Sequence, residues 1–397
     1  MQRSLTSILI ILPFLLHGQA TWEQKASAPA GGRFWAAATG NSTHGFAGTG
    51  RPEFSALTPL ADMYQYERAT DTWTAIPDYP AGVREGMTGF TIGERIFFAF
   101  GSPFIQFSRT VYEYLPTTGT WVQHPDVPGI GFAFSHGFVI GDTYYIGPEN
   151  GTNQVYAFNG TTNTWSTVAP FPGNDRRAQC AFSANGKGYL GMGAGVFSGV
   201  YGDWWEYDPI ADAWTAVADI FPNSDQSTAT AVGDVGFVFN VGGSGGGGKQ
   251  LYRYNATADE WIQDALLPTD RIANGSLFSV GDKGYLVFGE KSLSGGNLPS
   301  NELWQFTPGT TGLAEEVDAF GLVAFGGADG VITVRSTRPM DALATVRLLD
   351  ASGAVLSEIN AHGPLNMRIG SDLPSGVYLV QVSSAVAAHT LRVALVR

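Results

Sequence analysis

Apolar and polar positions alternate along this chain in short runs, and the runs come in sets. Between Trp165 and Trp214, Arg177 to Ser183 reads as a first strand and Asn185-Gly186 as a tight turn. Gly188 to Met192 reads as a second strand and Trp204 to Tyr207 as a third. Asp208-Pro209-Ile210-Ala211-Asp212 then turns into a fourth, which begins near Trp214. Alternation of period two between closely spaced turn signals predicts antiparallel strands. No long stretch carries apolar residues at helical spacing between caps. The first-turn signal recurs as Gly93-Glu94, Gly141-Asp142, Gly233-Asp234 and Gly281-Asp282.

The sets repeat. Tyr64, Tyr112, Tyr156, Trp205 and Tyr252 each stand nine residues before Trp73, Trp121, Trp165, Trp214 and Trp261, with a second aromatic two positions on. A sixth copy, Trp304 and Phe306, runs into Leu313 where the tryptophan is due. Four strands per unit at a period of 44 to 49 residues predict a bladed array. The missing strand of the last unit is supplied by Thr21-Trp22-Glu23-Gln24-Lys25, which matches Thr72-Trp73-Thr74-Ala75. Pairing the two ends removes two exposed strand edges. The Gly-aromatic second strands, the aromatic-x-aromatic third strands and the trailing Trp resemble kelch repeats, over about residues 21–313. The glycine doublet after the second strand is intact at Gly242-Gly243 and degraded at Gly101-Ser102 and Gly289-Glu290. The resemblance implies an all-β fold with a six-bladed kelch-like β-propeller. It does not fix a function, because that scaffold carries oxidases, mutarotases and protein-binding modules.

From Ala314 the repeat stops. Residues 314–323 read as a linker, and residues 324–397 as a small immunoglobulin-like β-sandwich. Its expected strands are Gly330 to Arg335, Ala344 to Leu349, Val355 to Ile359, Val377 to Val382 and Thr390 to Val396. This segment resembles the C-terminal sorting domain of the type IX secretion pathway of Bacteroidota. The residues that carry the likeness are Val346-Arg347-Leu348-Leu349-Asp350-Ala351-Ser352-Gly353, Leu373-Pro374-Ser375-Gly376-Val377-Tyr378-Leu379-Val380, and the basic-apolar end from Leu391 to Arg397. The usual Pro-Asn-Pro is missing, and Phe325-Gly326-Gly327-Ala328 stands near its place. The resemblance implies engagement of the type IX secretion machinery. An adhesive or structural immunoglobulin-like module is the alternative.

At the other end, Arg3, the apolar run Leu5 to Leu16 and Gly18-Gln19-Ala20 read as a signal peptide over residues 1–20. The mature chain is then expected to be secreted or held at the cell surface, exported through the periplasm, with no transmembrane segment. A net charge of −13 argues against a nucleic-acid partner, which needs a basic stripe. The lone Cys180, in the apolar run Gln179-Cys180-Ala181-Phe182, reads as a buried small hydrophobe, and one cysteine makes no internal disulfide.

Fourth-to-first and second-to-third connections vary in length and emerge on one side of a propeller, where binding residues concentrate. The variable second-to-third loops are Arg51 to Ala61, Ser102 to Thr110, Ala194 to Asp203 and Glu290 to Asn301. Phe54, Phe104, Phe107, Phe197 and Tyr201 on them suit sugar stacking, protein contact or packing on neighbouring blades. At the entrances of the inner strands stand Arg33, Arg84, Glu85, Arg176, Arg177 and Arg271, with Asp175, Asp225, Gln226, Asp270 and Asn274 beside them. Converging arginines make a fork for carboxylates such as those of acidic sugars; pairing with the nearby aspartates is the alternative.

Sharper motifs fail. Gly243 to Lys249 has phosphate-loop spacing, but Gln250 replaces the required Ser or Thr and a strand follows. His44 and His136 are not paired as a copper site requires, and no Gly-x-Ser-x-Gly elbow occurs. No cofactor and no metal are expected. The leading expectation is a propeller that binds a glycan or a surface protein through its variable-loop face. The alternatives are a carbohydrate-active enzyme such as a sialic acid mutarotase or epimerase, with Glu85 or Asp225 moving the proton, and a structural or adhesion protein.

Overall fold

The computed structural model describes residues 19–397 apart from 54, 57, 104–105, 149–150, 196–198, 222–223, 226, 240–247, 294–295, 310–321, 327–330, 337–339, 351–352, 364–365, 371–372, 375, 384–387 and 396–397. The leader up to residue 18, the Gly242-Gly243 doublet, the glycine-rich loop after it and most of the linker therefore lie outside the described residues. Two compact units form, one of them Ala20–Pro308 and the other containing Gly309–Arg397.

The first unit is a six-bladed propeller. Blade 1 runs Ala37–Gly40, His44–Gly48, Met63–Glu67 and Thr72–Ile76; blade 2 runs Glu85–Ile92, Arg95–Ser102, Val111–Leu115 and Thr120–His124. Blade 3 is Phe138–Ile140, Thr143–Ile146, Val155–Asn159 and Thr164–Val168, and blade 4 is Cys180–Ala184, Lys187–Gly191, Trp204–Asp208 and Ala213–Val217. Blade 5 is Thr228–Val232, Val235–Phe239, Gln250–Asn255 and Glu260–Leu266. Blade 6 takes Ser276–Val280, Lys283–Val287 and Leu303–Thr307 from one end of the unit and Thr21–Lys25 from the other. The closing register places Thr21 opposite Thr307, Trp22 opposite Phe306 and Lys25 opposite Leu303. Each inner strand packs against those of both neighbouring blades, from blade 1 round to blade 6 and back.

The recurring tryptophan has a physical reason. Its ring lies on the aromatic of its own third strand, as Trp73 on Tyr66 at 5.1 Å and Trp121 on Tyr114 at 5.1 Å. Its indole N–H donates to the carbonyl just past the outer strand of the preceding blade. Trp73 reaches Ala26 at 2.8 Å, Trp121 Pro77 at 3.0 Å, Trp165 Pro125 at 2.9 Å, Trp214 Ala169 at 3.0 Å and Trp261 Ala218 at 2.8 Å. Each hydrogen bond satisfies a half-buried donor and fixes one blade against the next. Trp22 fills the sixth position on Phe306 and Phe239, at 5.2 and 6.0 Å, and its indole N–H has no partner among the described residues. The glycines of the second strands are equally local. A Cβ on Gly236 would lie 2.0 Å from the ring of Phe182, which the preceding blade lays flat on that backbone.

Two details differ from expectation. The inner strand of blade 4 begins at Cys180, not Arg177, because Ala178 turns into the left-handed region (φ 56°) and Arg177 pairs with Ala194. Two loops carry extra pairing, Ala194–Gly195 with Gly199–Val200, and Arg271–Ala273 with Glu290–Leu293 and Gly296–Pro299. At the start of the propeller unit, Ala20 is 6% exposed and its N–H donates to the buried Asp264 at 2.5 Å.

The second unit is a small two-sheet sandwich. Leu322–Gly326, Ile332–Ser336 and Asn366–Ile369 form one sheet; Val355–Gly363, Met340–Asp350, Gly376–Ser383 and Ala388–Leu395 form the other. Its core alternates along the strands as Ile332 and Val334, Val346 and Leu348, Tyr378, Val380 and Val382. The expected alternation is present, and two strands, Leu322–Gly326 and Asn366–Ile369, are additional to it.

Candidate functional site

In five of the six blades the arm that leads into the inner strand turns, among the described residues, through one residue with positive φ at the variable-loop end of the axis. These residues are Trp35 (54°), Gly86 (60°), Phe134 (58°), Ala178 (56°) and Asn274 (54°). Neighbouring arms are tied to one another: Gly86 N–H donates to Trp35 O at 2.9 Å, Phe134 N–H to Gly86 O at 2.8 Å, and Trp35 N–H to Asn274 O at 3.2 Å. The Trp35 and Phe134 rings meet edge to face at 5.2 Å, and a Cβ on Gly86 would lie 2.6 Å from Phe134. This end of the axis is a narrow vestibule of about 60 Å³. Left-handed non-glycine residues cost free energy, so a ring of them is held by its surroundings.

The arginines just ahead of this ring do not form one open fork. Arg33, two residues before Trp35, is 2% exposed and makes a bidentate pair with Asp62 at 2.7 and 2.8 Å, with a further bond to Thr49 O. Arg176, two residues before Ala178, repeats the arrangement with Asp203 at 2.7 and 2.8 Å and with Met192 O. Tyr201 covers its guanidinium at 4.5 Å and Phe171 at 4.9 Å. Burial pushes the Asp62 and Asp203 carboxyls up, and their arginines, with Tyr64 and Trp205, more than reverse it, leaving both below the ordinary range. Both aspartates stand immediately before the third strand of their blade. These two arginines brace the arms, so the expectation that they face a ligand is corrected. Tyr201 is likewise turned inward.

Arg84 holds the same position in blade 2, two residues before Gly86, but the residue before the third strand there is Thr110. With no aspartate opposite it, Arg84 stays half-buried, and among the described residues its guanidinium bonds only Val83 O, at 2.8 Å. Glu85 is 3% exposed and is clasped by Arg51, at 2.6 Å from each carboxylate oxygen. Burial raises the Glu85 carboxyl, and Arg51 offsets part of that rise. Arg51, which lies over the Trp35 ring at 5.6 Å, belongs to the site and was not singled out from the sequence; its place at the loop start, beside a paired backbone of Phe34, becomes visible only in the fold. Arg177, Asp225 and Arg271 are exposed. Among the described residues, Arg84, Arg177, Arg271 and Asp225 make no ion pair with any side chain. Gln226, Phe54, Phe104 and Phe197 lie outside the described residues.

Past the vestibule the axis widens. A cavity of about 430 Å³, walled by the inner strands of all six blades, opens between the first hairpins, on the face opposite the variable loops. His136 lines both spaces and marks the constriction between them. Burial at this constriction drives its imidazole down to about 4, so it is neutral near pH 7. Sequence reading missed this chamber because no single segment signals it; it exists only where six strands of small residues converge. Among the described residues no three His, Cys, Asp or Glu side chains gather as a metal site. Cys180 is fully buried and burial pushes its thiol up.

No protein-family model matches the chain. Over 115 residues it is 33% identical to the N-acetylneuraminate epimerase of Pasteurella multocida (strain Pm70). That match takes in 26% of this chain and 29% of the relative, less than a third of its length. Among solved structures the chain is similar to one described as the structure of YjhT, with a TM-score of 0.57 and 15% identity over 78% of this chain and 99% of that one. The chain therefore has the all-β, kelch-like propeller fold, and the small sandwich follows it.

Proposed function

We propose that the propeller recognises a carboxylated sugar at its variable-loop mouth, with Arg84, Arg177 and Arg271 as the cations that meet the carboxylate. The observation that carries this reading is Arg84: it occupies a position that is neutralised by aspartate in blades 1 and 4 and is left without a carboxylate in blade 2. A half-buried guanidinium with unused donors favours a planar anionic partner. The stretch shared with an N-acetylneuraminate epimerase points to the same ligand class.

A second reading, turnover of that sugar by mutarotation or epimerisation, is favoured by the same relative. Under it Asp225, exposed at the rim and without an ion pair among the described residues, is the carboxylate able to accept a proton. Glu85 is held by Arg51 and serves to keep that arginine over the Trp35 ring.

The test is calorimetric titration of the full chain with N-acetylneuraminate. Binding that weakens about 10-fold in both Arg84→Ala and Arg177→Ala supports the reading; no binding, or binding indifferent to both, refutes it and leaves a protein ligand or a structural role. NMR of α-N-acetylneuraminate anomerisation, with Asp225→Asn as control, separates turnover from binding. We also read the leader as an export signal and the tail sandwich as a type IX sorting domain, which place the protein outside the cell. Cell fractionation, with and without residues 324–397, tests this; an unchanged location on tail removal refutes the sorting role.

A further inference from the structure

The wide chamber at the hairpin end of the axis is chemically unlike the mouth. Its volume, about 430 Å³, falls within the roughly 300–1,000 Å³ range of small-molecule sites. It is a cup rather than a pore, because the Trp35–Phe134 ring narrows the far end to about 60 Å³. Its wall carries hydroxyls: Ser183 and Ser279 make no side-chain hydrogen bond among the described residues, and Thr39 and Thr91 bond each other at 2.9 Å. His136 closes the floor, and its ring makes no hydrogen bond or ion pair among the described residues. Between the hydroxyls lie small apolar surfaces, Ala38, Gly89 and Ala229. Among the described residues no lysine or arginine lines the chamber, and the one carboxylate that does, Glu94 at the rim, accepts from Ser42 at 3.0 Å.

We propose that this chamber is a second ligand site, entered from the hairpin face, for an uncharged polyhydroxylated molecule such as a neutral mono- or disaccharide. A sugar offers alternating hydroxyls and C–H faces, which the wall of serine hydroxyls and small apolar residues matches. A neutral imidazole donates from one nitrogen and accepts at the other, as a sugar hydroxyl also does. An anion would enter past Glu94 and find no cation to meet it, so the chamber discriminates against the acidic sugars proposed for the mouth.

Saturation-transfer NMR and calorimetry on the full chain test this, with glucose, galactose, N-acetylglucosamine and maltose as probes and N-acetylneuraminate as the anionic control. At least one neutral sugar is expected to bind with a Kd of about 1 mM or tighter. Ser183→Phe, which puts a ring on the chamber wall in place of a hydroxyl, should abolish that binding, and His136→Leu should weaken it about 10-fold. Should Ser183→Phe fail to fold, His136→Leu decides alone. Arg84→Ala and Arg177→Ala should leave it unchanged, which separates this site from the mouth. Failure of every neutral sugar to saturate overturns the proposal, as does binding that survives both chamber variants. Loss of binding in the arginine variants also overturns it, since the neutral sugar would then occupy the mouth.

Discussion

Replacing both members of the Arg176–Asp203 pair should cost less than the sum of replacing each alone. Arg176 is 2% exposed, and its guanidinium is satisfied by two carboxylate oxygens, the carbonyls of Met192 and Asn174, and the faces of Tyr201 and Phe171. Breaking a fully buried ion pair costs about 3–5 kcal/mol, because the remaining charge is left uncompensated. The Asp203 side chain keeps 32% exposure, so water screens part of the loss and about 2–3 kcal/mol is expected for Asp203→Asn. Arg176→Met removes the same pair and the stacking on Tyr201, for a similar about 2–3 kcal/mol. The double variant buries no unpaired charge, so its cost should fall short of the sum by about 1–2 kcal/mol. Urea titration followed by tryptophan fluorescence at pH 7 reads all four proteins. Burial raises the Asp203 carboxyl and Arg176 outweighs it, so its folded value is depressed. The pair's stabilisation is therefore present above the unfolded value near 3.8 and fades as pH falls through the folded one. Costs that add to within about 0.5 kcal/mol, or a coupling unchanged well below pH 3.8, would refute the bracing role.

Three further outcomes are expected. Deleting residues 20–25 opens blade 6 and uncovers Phe239 and Phe306; the melting temperature should fall by about 10 °C or more, and an unchanged melting curve would count against closure by this strand. His136 titrates near 6.5 when unfolded and near about 4 when folded. The unfolded state thus binds more protons in that window, and stability should decline by about 3 kcal/mol as pH is lowered from 6.5 to 4; a His136→Gln variant with the same acid limb would contradict this. Thr110→Asp supplies Arg84 with the partner that Asp62 and Asp203 provide in their blades. It should raise stability by about 1 kcal/mol and abolish binding of N-acetylneuraminate, and retained binding would refute the role given to Arg84.

The blade count and ring closure were legible because they depend on local, repeated chemistry. A tryptophan that must stack on its own strand and donate to its neighbour recurs at a fixed distance, and Trp22 shows the same signature at the start of the chain. The arginines were legible as residues but not as partners. Arg33 and Asp62 are far apart in sequence and meet only because the arm passes beneath the third strand, so the choice between an open fork and a brace was decided by the fold. Thr110 gave no signal at all until its equivalence to Asp62 and Asp203 was fixed by strand position. The chamber is the extreme case. Ser183, Ala229 and Gly89 are unremarkable singly, and the space they enclose is a product of six-fold convergence.

The closing strand of blade 6 comes from the start of the propeller unit, while Leu303–Thr307, the last strand of that unit in sequence, lies inside that blade. The two chain ends are therefore unequal before a protease. Trimming that advances from the front past Thr21 removes an edge strand and couples directly to global unfolding. A cut behind Pro308 leaves every blade with four strands.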